Sequence, residues 1–127
     1  MHYLLMYDTV DDYITARAPY RKRHLLHAIA AHQRGELVLG GALANPPTSS
    51  PALLPQGEGS VASSASADEA SRLGAVLLFQ GDSPKAAEDF AKADPYVLNG
   101  VIKSWRVREW TTVVGDHASV RVDPDSL

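Results

Sequence analysis

Four short apolar runs alternate with two stretches of helical pattern, and this alternation predicts the elements of the chain. The first and third runs are apolar at both odd and even positions, which is typical of strands covered on both faces. The last run alternates, with Trp105 and Val107 on one face and Arg106 and Arg108 on the other. The strands predicted from these runs are residues 2–7, 36–43, 74–81 and 101–110.

Proline and glycine mark the ends of the two predicted helices. The first begins at Pro19 and runs to Arg34, where Gly35 is the expected residue after a helix C-terminus. The second has Ser83 as its N-cap and Pro84 in its first turn, and it ends at Asp94. The first helix has two apolar sides, and periodicity does not decide which side faces the sheet. One side carries Leu25, Leu26 and Ile29, and the other carries Tyr20, His24, Ala28 and Ala31.

The order strand, helix, strand, strand, helix, strand predicts an α+β fold. It is the order of a ferredoxin-like βαββαβ sandwich, in which both helices cover one face of a four-stranded antiparallel sheet. The opposite face would then expose apolar residues of the first and third strands, which is unfavourable in a monomer. We therefore predict a homodimer in which two sheets pack face to face about a two-fold axis.

Two segments depart from this regular pattern. Residues 44–72 are rich in Pro, Ser, Gly and Ala and resemble a linker, with a short helix predicted at 67–73 from a capping box that begins at Ser66. Residues 1–115 are predicted to form the single domain that contains this insert. Residues 116–127 are predicted to be a C-terminal tail in which 119–122 add an edge strand.

The composition of the chain argues against nucleic acid and membranes as partners. The chain of 127 residues has a formal net charge of -3, which provides no basic surface for nucleic acid. It has no cysteine, so no disulfide or thiolate chemistry is available, in keeping with a cytoplasmic location. The N-terminal apolar run is too short for a signal peptide or a membrane span, so no membrane partner is expected.

Asp94 and His24 are the candidates for proton-transfer chemistry. Asp94 precedes Pro95, so it can cap a new helical turn whose first residue is the proline. His24 can act as a general base and a general acid, because imidazole titrates near neutral pH. Asp94 could fix the imidazole in one tautomer, as a carboxylate does in hydrolase triads. The spacing does not show that the two meet, and a structural cap with a packed histidine is the alternative.

Four further residues are candidates for substrate binding. Arg17 and Arg21 begin a basic cluster that could attract an anionic substrate, although a solvated charged surface is the favoured explanation. Tyr20 and Tyr96 could line a pocket or simply pack. No metal is expected, since nothing completes a ligand set with His24 and His27. The glycines form no phosphate-binding pattern, and no cofactor is expected.

Several of these motifs together resemble those of the YCII-related (YciI-like) proteins. They are the strand 2–7, the Arg17–Leu25 segment with its His-Leu pair, the segment 35–43, and the Asp-Pro-Tyr of 94–96 followed by Gly100 and two tryptophans. The resemblance implies a dimeric α/β barrel with a histidine and an aspartate in its site, at His24 and Asp94. It also implies a small-molecule enzyme, dehydrochlorination of chlorinated hydroxyquinols being one activity attached to the family. The insert 44–72 and the tail depart from the family pattern.

The leading hypothesis is a cofactor-independent enzyme of lyase, isomerase or hydrolase type. His24 would move a proton, and Asp94 would orient the imidazole of His24. An anionic or phenolic small molecule would be positioned by Tyr20, Tyr96 and Arg17 or Arg21. The alternative is a non-catalytic protein that binds a small ligand in the same cleft. In a third, purely structural interpretation, His24 and Asp94 only satisfy each other.

Overall fold

The computed structural model describes residues 1–44 and 74–127, which form a four-stranded antiparallel sheet. Its strands are β1 (His2–Thr9), β2 (Leu37–Ala42), β3 (Gly74–Gln80) and β4 (Ile102–Trp110), in the spatial order β2-β3-β1-β4. Each neighbouring pair is antiparallel. This arrangement confirms the predicted ferredoxin-like α+β fold, because both crossovers place their helices on one face.

One face of the sheet forms the core beneath the helices. Alternate residues of β1 point to this face, and Leu5, which is fully buried, pairs with Leu77 of β3. Leu77 in turn pairs with Gly40 of β2, so the helix-covered face continues to the β2 edge. The buried members of this face on β1 and β3 are Tyr3, Leu5, Tyr7, Ala75, Leu77 and Phe79.

The segment between β1 and β2 contains more helix than the sequence pattern predicts. Helix α1 (Tyr13–Arg17) and a 3₁₀ turn (Ala18–Tyr20) precede α2 (Arg21–Gln33). Pro19 lies inside the 3₁₀ turn, so the regular helix begins two residues later than predicted. Helix α1 has a single buried side chain and no apolar period that could have revealed it. Gly35 follows α2 with a φ of 82°, as its predicted position after the helix requires.

Helix α2 packs on the sheet through its side of smaller residues. Ala31 is fully buried, whereas Leu26 and Ile29 are 57% and 51% exposed. A methyl group at the contact lets the helix axis approach the sheet closely. The larger apolar side of α2 consequently faces away from the core, an outcome that periodicity left open.

After β3 the chain forms a second helical layer. Helix α3 (Lys85–Ala93) is followed directly by the single turn α4 (Pro95–Leu98), with Asp94 between them. The Ser83 hydroxyl accepts the Lys85 N–H at 3.2 Å. The helix begins at Lys85, so Pro84 lies at the N-cap position and not in the first turn as predicted. Ala87, Phe90 and Ala91 of α3 are buried against the sheet.

The opposite face of the sheet carries partly exposed apolar residues at its centre. Met6 of β1 and Val76 and Leu78 of β3 are half-buried there, and Arg106 and Arg108 of β4 are exposed beside them. The homodimer expected from this face stays a prediction. Of the two tryptophans, Trp105 packs against the core and Trp110 is 46% exposed.

The segment after β4 folds back on itself without forming the predicted edge strand. Val120 N–H donates to the Thr112 carbonyl and Val122 N–H to the Val113 carbonyl, both at 3.0 Å. A 3₁₀ turn (Pro124–Ser126) ends the chain. The helix predicted at 67–73 lies outside the described residues. Within the described part of the chain, no helix is long and apolar enough to cross a membrane.

Candidate active site

The corner between α3 and α4 fixes the position of the Asp94 carboxylate. Asp94 has extended backbone dihedrals (φ -69°, ψ 125°), because a helical conformation is disfavoured before proline. Its Oδ1 accepts the Tyr96 N–H at 2.9 Å, which is the N-cap bond predicted from the Asp-Pro pair. Pro95, which has no N–H, is the first residue of α4. The local sequence thus directs Oδ1 of this carboxylate toward the start of α4.

Asp94 is fully buried and accepts hydrogen bonds from three groups. The Tyr7 hydroxyl of β1 donates to Oδ2 at 2.7 Å. Nδ1 of His24, on α2, lies 2.8 Å from Oδ1, the oxygen that also accepts the Tyr96 N–H. Two side chains 70 positions apart in sequence therefore meet, as the leading hypothesis required. Three donors around one buried side chain suit an ionised carboxylate, which only accepts.

This contact determines which nitrogen of His24 can react. Because Asp94 Oδ1 already accepts the Tyr96 N–H, Nδ1 of His24 is assigned as the protonated nitrogen that donates to it. The Nε2 lone pair of the neutral ring is then available to take a proton. Within the described residues Nε2 makes no hydrogen bond. The His24 side chain is 14% exposed, so a small molecule in the adjoining cavity can reach it.

Tyr96 holds the imidazole plane. The two rings are stacked with centroids 3.9 Å apart and an interplanar angle of 6°. Tyr13 of α1 packs edge-on against Tyr96, with ring centroids 6.0 Å apart. Phe90 lies edge-on to His24, with ring centroids 6.4 Å apart. His24 is thus held by a hydrogen bond at Nδ1 and by an aromatic surface across its face.

The second histidine of α2 has a different environment. Nε2 of His27 donates to the Phe90 carbonyl at 3.0 Å, and its ring stacks on the Phe90 ring at 4.2 Å. His27 therefore ties α2 to α3 and does not share a ligand position with His24. No group of three or more His, Cys, Asp or Glu side chains suited to a metal occurs within residues 1–44 and 74–127.

A cavity of about 280 Å³ adjoins His24, between α2 and the β2 edge of the sheet. Arg17 and Arg21 supply its positive charge, and the Arg17 guanidinium also lies 4.9 Å from the centre of the Tyr13 ring. Asp94 is absent from the lining because it lies behind His24. The lining side chains are mostly aromatic, aliphatic or small and include Tyr7, Tyr13, Leu25, Ala28, Leu37, Ala75, Leu77 and Tyr96.

Two phenols of the site stay protonated over a wide pH range. Burial, and secondarily the neighbouring Asp94 carboxylate, raise the pKa of Tyr7 far above its ordinary value. Burial also raises the pKa of Tyr96 to about 12, although Arg17 and Arg21 act in the opposite direction. At neutral pH both phenols are therefore hydrogen-bond donors and not phenolates.

Five of the six residues singled out in the sequence lie together, and Tyr20 lies apart from the cavity lining. The Arg23 guanidinium stacks over the Tyr20 ring at 5.4 Å, and Tyr20 packs at the edge of the core. Sequence reasoning missed Tyr7 and Tyr13. The sequence marks Tyr7 only as a strand residue. The signal that could have found it is its parity, which it shares with the inward-facing Tyr3 and Leu5.

A model of the YCII-related domain matches residues 1–111 of the chain. The chain belongs to the YCII-related family. This match includes both members of the His24–Asp94 pair and both cavity arginines. Comparison with curated protein sequences gives no match.

Among solved structures, this YCII-related protein is similar to 5-chloro-2-hydroxyhydroquinone dehydrochlorinase (TftG) from Burkholderia phenoliruptrix, in complex with 2,5-dihydroxybenzoquinone. The similarity covers 94% of this chain and 100% of that chain, with a TM-score of 0.61 and 17% sequence identity. At this level of identity the likeness establishes a shared fold.

Proposed function

We propose that the protein is a small-molecule enzyme that works by general acid–base catalysis, with His24 as the proton-transferring residue. One observation carries this proposal: a buried carboxylate orients His24 through Nδ1 at 2.8 Å, and the imidazole borders a cavity. A histidine held in this way presents Nε2 as a base and returns the proton as an acid. Such transfer contributes roughly 10²–10⁴-fold in rate, which suits a substrate that is already activated.

Asp94 acts here as a positioning residue. Its negative charge favours the imidazolium that forms when Nε2 takes a proton, while the Tyr7 and Tyr96 hydrogen bonds keep the carboxylate from rotating. Tyr96 adds a parallel ring against which the imidazole stays aligned in both protonation states. The proton transfer is thus supported in three ways: Asp94 supplies the charge, the hydrogen bonds from Tyr7 and Tyr96 fix the carboxylate, and the Tyr96 ring fixes the plane of the imidazole.

The substrate class that suits the cavity is a phenolic or otherwise anionic small molecule. Arg17 and Arg21 place positive charge beside aromatic and aliphatic walls, so an ionised oxygen and an apolar ring can bind together. The structurally similar dehydrochlorinase is named for a chlorinated hydroxyhydroquinone. We therefore assign hydroxylated aromatic rings as the first substrates to test.

Loss of HCl from a chlorinated hydroquinol is a reaction that this site could promote without an oxidant. The base removes the proton of the hydroxyl beside the C–Cl carbon and returns it to that carbon, which gives a ketone and an sp³ C–Cl carbon. The hydroxyl para to this ketone then loses its proton, its oxygen forms the second carbonyl as the ring double bond shifts, and the C–Cl bond breaks with its electron pair on chloride. The ring reaches the quinone level because the departing chloride carries away two electrons. Only the proton transfers require a protein group: Nε2 of His24 moves the first proton from oxygen to carbon and accepts the second. The arginines stabilise the oxyanion that precedes chloride loss.

The test is chloride release from 5-chloro-2-hydroxyhydroquinone, followed with an ion-selective electrode under anaerobic conditions. We expect turnover by the unmodified chain and a loss of roughly 10²–10⁴-fold in His24→Ala. His117→Ala is the matched control, because His117 is exposed in the C-terminal segment. Binding without chloride release by the unmodified chain would instead support the non-catalytic alternative. Equal turnover by His24→Ala would exclude His24 as the base.

A further inference from the structure

The sheet beneath the cavity lacks bulky side chains at its β2 edge. On the helix-covered face, Gly40 pairs with Leu77, and Ala42 pairs with Ala75. On its other side, Ala75 pairs with Tyr7 of β1, whose hydroxyl donates to Asp94. In this row across three strands, the side chains of Ala42 and Ala75 are methyl groups, and only Tyr7 has a large side chain. Space that larger side chains would fill is left above these residues, and it is part of the cavity.

The lack of a side chain at Gly40 is a matter of space and not of backbone conformation. Its φ is not positive, so any residue could adopt its backbone dihedrals. A Cβ built at this position would lie 3.2 Å from Cγ and 3.4 Å from Cδ2 of Leu77, which is closer than ordinary contact. Gly40 thus allows Leu77 to lie against bare backbone, and together they leave a flat apolar surface.

The opposite side of the cavity consists of α2. Arg21, His24, Leu25 and Ala28 recur at helical spacing and face this surface, with the arginine at one end and the alanine at the other. A flat apolar layer therefore faces a proton-transferring group, and positive charge lies at one end of the space between them. A planar ring is a shape that fits between a flat strand surface and the helix that faces it.

The geometry points to Gly40, Ala42 and Ala75 as the floor on which a single aromatic ring of the substrate lies, and this assignment rests on the proposed function of the same site. An ionised oxygen of the ring is directed to Arg21, and a ring hydroxyl is directed to Nε2 of His24. Gly40 and Ala42 are then residues that determine specificity: they set the thickness of the ring that the site accepts.

The experiment measures binding and not turnover, with 2,5-dihydroxybenzoquinone as the probe and isothermal titration calorimetry as the method. Gly40→Val and Ala42→Leu place methyl groups above the floor. We expect each to weaken binding by about tenfold or more, since misfit of one methylene group in an apolar pocket costs roughly 10–200-fold. Gly40→Ala should give a smaller loss, because its single methyl group requires Leu77 to shift by only a few tenths of an ångström.

Gly81→Ala is the matched glycine control. It lies in the turn after β3, has no positive φ, and a Cβ there would meet only the Ser83 carbonyl at an ordinary 3.7 Å. The thermal unfolding temperature of each variant shows whether weaker binding comes from unfolding or from the altered cavity surface. Beta-branched valine suits an edge strand, so Gly40→Val is expected to remain folded.

The outcomes separate this assignment from the proposed enzymatic function. Unchanged binding by folded Gly40→Val and Ala42→Leu would overturn the floor, even if His24→Ala abolished chloride release. Failure of the unmodified chain to bind the quinone would overturn it as well. If the unmodified chain bound the quinone more tightly than Gly40→Val and Ala42→Leu but released no chloride, the assigned binding surface would be supported and the proposed enzymatic function contradicted.

Discussion

Replacement of Asp94 by asparagine removes one charge from the site and almost no volume. The three hydrogen bonds to this side chain determine how the amide will sit. Oδ1 can still accept the Tyr96 N–H and the His24 Nδ1–H, at the present 2.9 and 2.8 Å. The amide nitrogen then faces the Tyr7 hydroxyl, which can reverse its role and accept a hydrogen bond. The reverse orientation would oppose donors to donors at Tyr96 and His24.

These contacts set the size of the two expected effects. Hydrogen bonds to charged groups contribute about 1.5–3 kcal/mol and neutral ones about 0.5–1.5 kcal/mol, so Asp94→Asn should lower the free energy of unfolding by roughly 1–3 kcal/mol. Activity should fall much further. Without the negative charge the imidazolium loses its partner, and we expect kcat to decrease by roughly 10²–10⁴-fold.

The assay combines chloride release with urea denaturation of the same preparations. Asp89→Asn is the matched control, because Asp89 is 55% exposed on α3 and pairs only with Lys85 there. That variant should retain full activity and nearly full stability, since an exposed i,i+4 ion pair contributes little to the free energy of unfolding. If Asp94→Asn kept more than a third of the original kcat while remaining folded, the proton-transfer role of the pair would be refuted.

Three further predictions concern Tyr7, Arg21 and the open face of the sheet. Tyr7→Phe should destabilise the protein by about 1.5–3 kcal/mol at neutral pH, and this difference should shrink above about pH 10. The sign follows from the raised pKa of Tyr7: the unfolded chain releases that proton first, so its stabilisation is complete below pH 10 and declines above it. Urea titrations at pH 8 and pH 11 would show it, and a pH-independent difference would contradict it. Arg21→Gln should weaken quinone binding and reduce its dependence on salt, measured by calorimetry at 50 and 300 mM NaCl, and an unchanged salt dependence would count against a charged contact. Leu78→Lys should convert the predicted homodimer to monomer in sedimentation velocity, and an unmodified chain that already sediments as a monomer would remove the prediction.

The fold could be predicted from local patterns because each pattern has a direct physical cause. Strands β1 and β3 are continuous apolar runs in the sequence, and Pro19 and Gly35 lie within two residues of the ends of α2 because of the φ values that they adopt. Helix α1 could not be predicted, because five residues with one buried side chain leave no period to detect. The side of α2 that meets the sheet was likewise undetermined. It depends on the distance between helix and strands, which small residues such as Ala31 set only once both are in place.

The site shows the same division between local and long-range causes. Asp94 could be assigned as a cap from the proline that follows it, since the N-cap bond joins residues two apart. Its contacts with His24 and Tyr7 join residues 70 and 87 positions apart, and they depend on where α2 and β1 pass the α3–α4 corner. No spacing rule encodes such a meeting. The chemistry of imidazole makes His24 a candidate, and the family resemblance adds that a histidine and an aspartate share the site. No motif marks Tyr7, and only the packing of β1 against the α3–α4 corner brings its hydroxyl to the carboxylate.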